Sequence, residues 1–445
     1  MSRSRGSRLD SQFRPAGQQL QGRLRVGHEL RNSEFGRNPV KRASEPLGLR
    51  EGVTSEVEPV GRPRAVSKIS FVYFDAGGGH RSAMNALCAV IREQQRPWEI
   101  ECLNLQEELD IIDFAKRVTG RRIQDIYNLL LKKGWTLGTA QLLPILHGVI
   151  RLRRAYIVHL LERYWRATRP DLVLSLIPNF NRELAQSVRN ALPTAPFVTL
   201  LTDLADYPPH TWIERESEYL ICGTERAVQQ ALSMGHPAEH VFGTSGMVLN
   251  PAFYTTAETN RSEHRRLLGL EADRITGLVM FGGEGSQVML DIARRLNSFA
   301  GLQLIFICGR NQKLEAALRQ MRFRIPVHIE GFTVEVPTCM QASDFFIGKP
   351  GPGSISEALL MGLPVIVQRN AWTLPQERFN TEWIKAKDVG IVIRNFRHIH
   401  EAVGRLIEPA SFARRRANVR ALRNRAVFEV PEILQALLTR KTGGV

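Results

Sequence analysis

Three glycine-rich turns carry the residues best suited to chemistry: Phe74 to Ala83 (FDAGGGHRSA), Phe281 to Val288 (FGGEGSQV) and Lys349 to Ala358 (KPGPGSISEA). Each stands where a short apolar run hands over to a helix-period segment. Glycines there let backbone N–H groups close on an anion at a helix amino end, while glycine's tolerance of positive φ also explains a bare tight connection. Three such turns at equivalent places favour the anion. His80 closes the first turn, Gly77, Gly78 and Gly79 preceding it. A neutral imidazole, with a reference pKa of about 6.5, can take a proton from a hydroxyl near neutral pH; the alternative is a ring that caps or packs the turn. Asp203, ending the run TLLTD, is the competing base, or else a strand-end carboxylate that accepts backbone N–H groups. The common nucleotide motifs are absent: the first turn lacks the third glycine of GxGxxG, and the Lys349 turn has no GK[ST]. Asp203 and Asp206 have the wrong spacing for a DxD element. A leaving diphosphate would then be stabilised by helix amino ends and basic side chains, with no obligatory metal ion.

The elements that must position these turns follow a βα rhythm. Strands are expected at Ile69–Phe74, Glu99–Leu103, Asp171–Leu176, Pro196–Leu201 and Glu218–Cys222, with helices at Arg81–Glu93, Arg182–Asn190 and Thr224–Met234. A second series has strands at Thr276–Met280, Gln303–Cys308, Val327–Glu330, Asp344–Ile347, Pro364–Val367 and Gly390–Ile393, with helices at Gln287–Leu296, Gln312–Met321 and Ser354–Met361. The expected fold class is α/β: two Rossmann-like, doubly wound parallel-sheet domains facing each other across a cleft. Residues 68–245 form the first domain, 246–261 a linker, 262–425 the second domain, and 426–445 a carboxyl-terminal tail or helix. Residues 1–67, rich in Arg, Ser, Gly and Pro, read as a disordered basic leader, either a tether to an anionic surface or a solvated tail.

Composition narrows the class. With 445 residues and a formal charge of +16, the chain supports two or three domains and a positive surface potential that suits phosphate-bearing partners. Its five cysteines include no CxxC pair, which disfavours a zinc ribbon, a redox dithiol or a disulfide scaffold. No apolar run reaches the roughly 18 to 20 residues of a spanning helix, and no secretory h-region is present.

Taken together, the strings FDAGGGHRSA, LTDL, MFGGEGS, ICGRN, IEGF, KPGPGSISEALLMGLPVI and PQERFN stand in the order and at the spacing of monogalactosyldiacylglycerol synthases and processive diacylglycerol glucosyltransferases. The chain resembles these family 28 glycosyltransferases from Ile69 to about Ile407. The resemblance implies a GT-B fold, a UDP-sugar in the second domain, a lipid acceptor in the first, and inverting, metal-independent transfer to a lipid hydroxyl with no cofactor. By this likeness Glu357 is the carboxylate that accepts both ribose hydroxyls, and Gly331 and Phe332 read the uracil edge. Gly353 and Ser354 hold the diphosphate at a helix amino end, with Arg310 as a further contact. Gly283, Glu284, Gly285 and Ser286 form the loop that closes over the phosphates, and Gln376 and Glu377 grip sugar hydroxyls. His80, or failing it Asp203, removes the acceptor proton. Two departures leave the donor open between galactose and glucose: Ala76 stands where galactosyl enzymes usually carry Thr, and the stretch from Arg369 (RNAWTLPQER) is longer than the family's.

Between Lys132 and Arg166 apolar residues, among them Trp135, Leu142 and Leu143, precede Arg151, Arg153 and Arg154. This reads as one or two basic amphipathic helices broken at Pro144, lying on an anionic membrane surface, or as a core-packing pair with a solvated basic face. The first option places the protein peripherally on the cytoplasmic leaflet. Competing classes are transfer to a polyprenyl-linked or lipid A-type acceptor, a soluble sugar-nucleotide epimerase on the same fold, and a nucleic-acid-binding protein. The last would need a named binding motif, and none is found.

Overall fold

A computed structural model describes residues 66–75, 78–109, 139–208, 210–254 and 260–442, without the side chains of 109, 139–146, 149, 441 and 442. Residues 1–65 of the expected leader, Ala76, Gly77 and Trp135 lie outside the described residues, Ser67 of that leader belongs to the first strand, and Leu142 and Leu143 are described in backbone only.

Two six-stranded sheets carry the fold. The first comprises β1 (Ser67–Tyr73), β2 (Trp98–Asn104), β3 (Leu172–Ser175), β4 (Phe197–Leu200), β5 (Tyr219–Cys222) and β6 (Val241–Gly243), in the order β2-β1-β3-β4-β5-β6. The second comprises β7 (Ile275–Met280), β8 (Leu302–Ile307), β9 (Val327–Glu330), β10 (Phe345–Gly348), β11 (Val365–Gln368) and β12 (Gly390–Ile393), in the order β12-β11-β10-β7-β8-β9. Every neighbouring pair is parallel. Central strands such as β3, β4, β8 and β10 are buried along their whole length, which is why they read as continuous apolar runs. The three-residue β6 was not expected, being too short to show a pattern.

Both orders contain a point where successive strands depart in opposite directions, between β1 and β3 in the first sheet and between β7 and β10 in the second. Ligands of open α/β sheets bind outside the carboxyl ends of the strands at such points. Those ends carry the turns that lead into α1 (Gly79–Glu93), from β1, and towards the glycine loop after β7.

Two helices depart from expectation. The segment singled out for membrane contact contains one continuous helix, α2 (Thr139–Thr168), which runs through Pro144. That proline lies in the second turn of the described helix, where its missing N–H interrupts a single bond near one end. Ile150, Ile157, Leu161 and Trp165 form its inward stripe against the first sheet and α3 (Asn181–Ala191). Trp165 Nε1 donates to Ser187 Oγ at 2.9 Å, and Tyr164 OH to Glu101 Oε1 at 2.8 Å. Arg154, expected to meet anionic head groups, turns instead to α3, with Nη2 donating to Gln186 Oε1 at 2.7 Å and Nε 3.9 Å from Glu183 Oε1. Arg151, Leu152, Arg153 and Tyr156 remain exposed. Among the described residues, no helix is long and apolar enough to cross a membrane.

The segment expected as a tail or helix is a helix, and what was not expected is that it returns to the first domain. After the second sheet, Val427, Val430, Leu434, Leu437 and Leu438 of the closing helix, Ala426–Thr442, complete the core formed by Ile69, Phe71, Leu87 and Val90. Burying such side chains contributes roughly 1.5–3 kcal/mol each, so this contact belongs to the domain's stability. Arg96 fixes its register, bonding the Pro431 carbonyl at 3.3 Å and pairing with Glu432.

Candidate functional site

At the carboxyl edge of the first sheet, Gly78 caps α1 with φ 81°, a left-handed conformation that glycine adopts without penalty. Among the described residues no side chain caps this amino end, and a Cβ on Gly78 or Gly79 would meet nothing within 4 Å. His80, in the first turn of α1, has Nδ1 2.9 Å from Thr202 Oγ1 and its ring between Phe74, at 6.5 Å, and Trp212, at 5.7 Å. Burial lowers its pKa to about 4, the Leu176 backbone opposing, so the imidazole is neutral at pH 7.

Asp203 follows β4 and accepts a hydrogen bond from Trp212 Nε1 at 2.9 Å. Burial raises its pKa to about 6; the Trp212 bond lowers it, and the charges of Glu377 and Asp206 add to the rise. Trp212 therefore touches both expected bases. Its loop is held by Asp206, which is buried and accepts backbone N–H groups of His210, Thr211, Trp212 and Ile213 at 2.9 to 3.3 Å. Sequence reasoning weighed Asp206 only as half of a DxD element and did not single out Trp212. The available signal was an acid directly before the turn-forming YPPH. Asp75 was also missed; it follows β1 and takes Arg81 Nη1 on both oxygens at 3.2 and 3.1 Å.

At the carboxyl edge of the second sheet the material is backbone. The loops after β7 and β8 interlock: Arg310 N donates to Gly283 O at 2.7 Å, and Asn311 Nδ2 to Glu284 O at 3.4 Å. Gly309, at φ 60°, passes so close that a Cβ would stand 2.2 Å from the Gly283 carbonyl oxygen. Gly285 likewise has φ 60°, and Ser286 leads into α4 (Val288–Leu296). The Arg310 guanidinium lies 4.3 Å over the exposed ring of Phe332 and 3.8 Å from Glu284 Oε1. Gly331 packs against Glu315.

After β10 comes α5 (Pro352–Leu360), capped by Gly351 with no side chain on its first N–H groups. Gly353 is exposed and Ser354 partly so. Glu357, farther along α5, has its pKa raised to about 7 by burial, and no described residue hydrogen-bonds or pairs with its carboxyl group. Lys349, missed as a contact, stands beside Gly282 and Gly351, 3.9 Å from Glu377 Oε1. Glu377 opens α6 (Pro375–Ala386) beside the partly exposed Gln376. It is buried, which raises its pKa against the pull of Lys349. Its charge reaches Asp203, so the two edges act on one another. Among the described residues, no group of three or more His, Cys, Asp or Glu could hold a metal ion.

Comparison with known proteins agrees with this architecture. Residues 278–373 match the glycosyltransferase family 28 C-terminal domain. The chain is 27% identical over 414 residues to the chloroplastic monogalactosyldiacylglycerol synthase of Spinacia oleracea, covering 88% of this chain and 77% of that one. It is 28% identical over 410 residues to probable monogalactosyldiacylglycerol synthase 2 of Oryza sativa subsp. japonica, covering 85% and 82%. Among solved structures, MurG of Acinetobacter baumannii superposes with a TM-score of 0.56 at 11% identity, over 83% of this chain and 99% of that one. A putative UDP-N-acetylglucosamine 2-epimerase from Listeria monocytogenes gives 0.55 at 15% identity, over 86% and 98%. These two carry the fold alone. The resemblance to monogalactosyldiacylglycerol synthases, the α/β two-domain GT-B fold and the glycosyltransferase class expected from the sequence are borne out.

Proposed function

We propose that this family 28-type glycosyltransferase transfers a hexose from a UDP-sugar to the hydroxyl of a diacylglycerol-type membrane lipid, with inversion and without an obligatory metal ion. The observation that carries the reading is Glu357: a partly buried carboxyl group whose pKa desolvation raises to about 7, with no described partner, on a helix whose amino-terminal N–H groups are uncapped by any described side chain. Burying such a group unpaired is costly, and a vicinal diol supplies the two donors that its oxygens lack. In this reading the ribose sits on Glu357 and the diphosphate on the N–H groups at Gly353 and Ser354, where the helix dipole favours negative charge. Lys349 and Arg310 add positive charge, the Gly283–Ser286 loop closes over the phosphates, and Gly331 and Phe332 take the uracil edge. Gln376 and Glu377 take sugar hydroxyls. The developing charge on UDP is met by groups that need no rearrangement.

The acceptor hydroxyl approaches from the first sheet. Asp203, at about 6, is ionised at pH 7.5 and close to the operating pH, which suits a general base better than an imidazole at about 4. We assign Asp203 the proton and His80 the orientation of the hydroxyl. Trp212 occupies one carboxylate oxygen of Asp203 and leaves the other for the acceptor. The exposed Arg151, Leu152, Arg153 and Tyr156 on α2 supply the basic and apolar groups of a peripheral membrane contact.

The test is incubation with anionic vesicles containing diacylglycerol and, in parallel, UDP-galactose, UDP-glucose and UDP-N-acetylglucosamine, with the lipid read by mass. The expected result is a gain of one hexose with one of the first two donors. An isomerised sugar nucleotide with no lipid product would replace this reading by an epimerase.

A further inference from the structure

A second cationic site lies beside α6, on a face that carries Arg378 and Lys385 and not Glu377. The carboxyl ends of β11 and β12 deliver Arg369 and Arg394 to the mouth of a cavity of 430 Å³, and α6 lines it with Arg378 and Lys385, two turns apart on one face. Among the described residues, these four cations meet one carboxylate: Arg369 Nη1 pairs with Glu382 Oε1 at 2.8 Å. Arg378 Nε has only the Thr373 carbonyl, at 3.4 Å. Asn370, also on the wall, spends its Oδ1 on Trp372 N at 2.8 Å and keeps its amide N–H groups for donation. Like charges that converge on one cavity repel one another unless an anion is present. Three of the four are guanidinium groups, whose planar forks match phosphate oxygens in pairs. The cavity is roomy enough for a phosphate and the group esterified to it.

We propose that this cavity binds a phosphate-bearing anion at a site separate from that of the UDP-sugar. Its wall includes Asn370 and Ala371, which begin the stretch leading to Gln376 and Glu377, so an occupant would tether the segment that closes the second sheet's edge. This inference stands without the donor assignment, because Glu377 does not line the cavity and faces Lys349 and Gly351.

The test is a calorimetric titration of the full chain with sn-glycerol 3-phosphate, alone and in saturating UDP, beside flotation with phosphatidylcholine vesicles with and without phosphatidic acid. Saturable binding is expected in at least one arm, unaffected by UDP, weaker at high salt, and reduced at least tenfold by Arg378→Ala and by Arg394→Ala. Glu357→Gln should leave it unchanged. Binding of the soluble ester identifies a free phosphate compound as the source; binding confined to phosphatidic acid vesicles identifies a lipid head group. Should Arg378→Ala fail to fold, Lys385→Glu and Arg394→Glu, both at exposed positions, make the same test. No saturable binding in either arm, displacement by UDP, or binding indifferent to the cavity substitutions overturns the proposal.

Discussion

At the carboxyl edge of the first sheet the candidate groups are side chains, His80 and Asp203, whose ionisation is shifted by burial, with Trp212 between them. At the edge of the second they are mainly backbone N–H groups and close-packed glycines, with the Lys349 ammonium and the Glu357 carboxyl, its pKa raised to about 7 by burial, beside them. Under the proposed function, the contrast is a division of labour. A diphosphate needs many donors held still, which a helix end and interlocked loops supply. A proton needs a group whose affinity can be tuned, which only a side chain in a chosen environment supplies.

Asp203→Asn should break the comparison most forcefully. Loss of a general base costs about 10² to 10⁴ in rate, and the asparagine still accepts from Trp212. The expected outcome is a collapse of kcat with donor KM within a few-fold; a KM that rose in step would show that the first edge also binds donor.

Glu357→Gln should do the converse, weakening donor binding by about ten- to a hundredfold, as charge-assisted hydrogen bonds of about 1.5–3 kcal/mol are lost, with a smaller change in kcat. It carries a second readout. A carboxyl raised to about 7 keeps its proton in the folded state where the unfolded chain has released it, so stability falls as pH climbs from the ordinary glutamate range to about 7. The amide removes that slope. The unliganded variant should gain on the order of 1–2 kcal/mol at pH 8 and little at pH 4, read from denaturant midpoints.

Gly309→Ala tests the backbone side alone. The Cβ collides with the Gly283 carbonyl at a positive φ, so about 1–3 kcal/mol of stability should be lost, with a several-fold weaker UDP isotherm and an unchanged acid limb of kcat against pH. The smallest effect sharpens the first edge. Trp212→Phe removes a bond that lowers the Asp203 pKa, and should move the acid limb upward from about 6 by less than one unit.

Much of this was legible in the chain. Continuous apolar runs gave both sheets nearly strand for strand, because parallel strands are buried on both faces, and the glycine turns marked the carboxyl edges. What escaped rests on contacts between distant residues. Nothing near Asp206 announces that four backbone N–H groups will converge on it. Pro144 looked like a break because the packing that sustains α2, through Ile157, Leu161 and Trp165, lies elsewhere in the fold. Cys88 on α1 and Cys102 on β2 both lie against Met84 Sδ, at 3.8 and 3.4 Å, a juxtaposition that residue spacing does not show. Arg96 pairs with Glu432, 336 positions away, and no local pattern reaches so far.

That last contact bears on the order of events during synthesis. The first sheet leaves the ribosome with Ile69, Phe71 and Leu87 lacking the side chains that cover them, since Val427, Val430 and Leu434 are added only after the whole second sheet. The domain translated first is therefore completed last, and until the closing helix is made part of its apolar core lacks its cover.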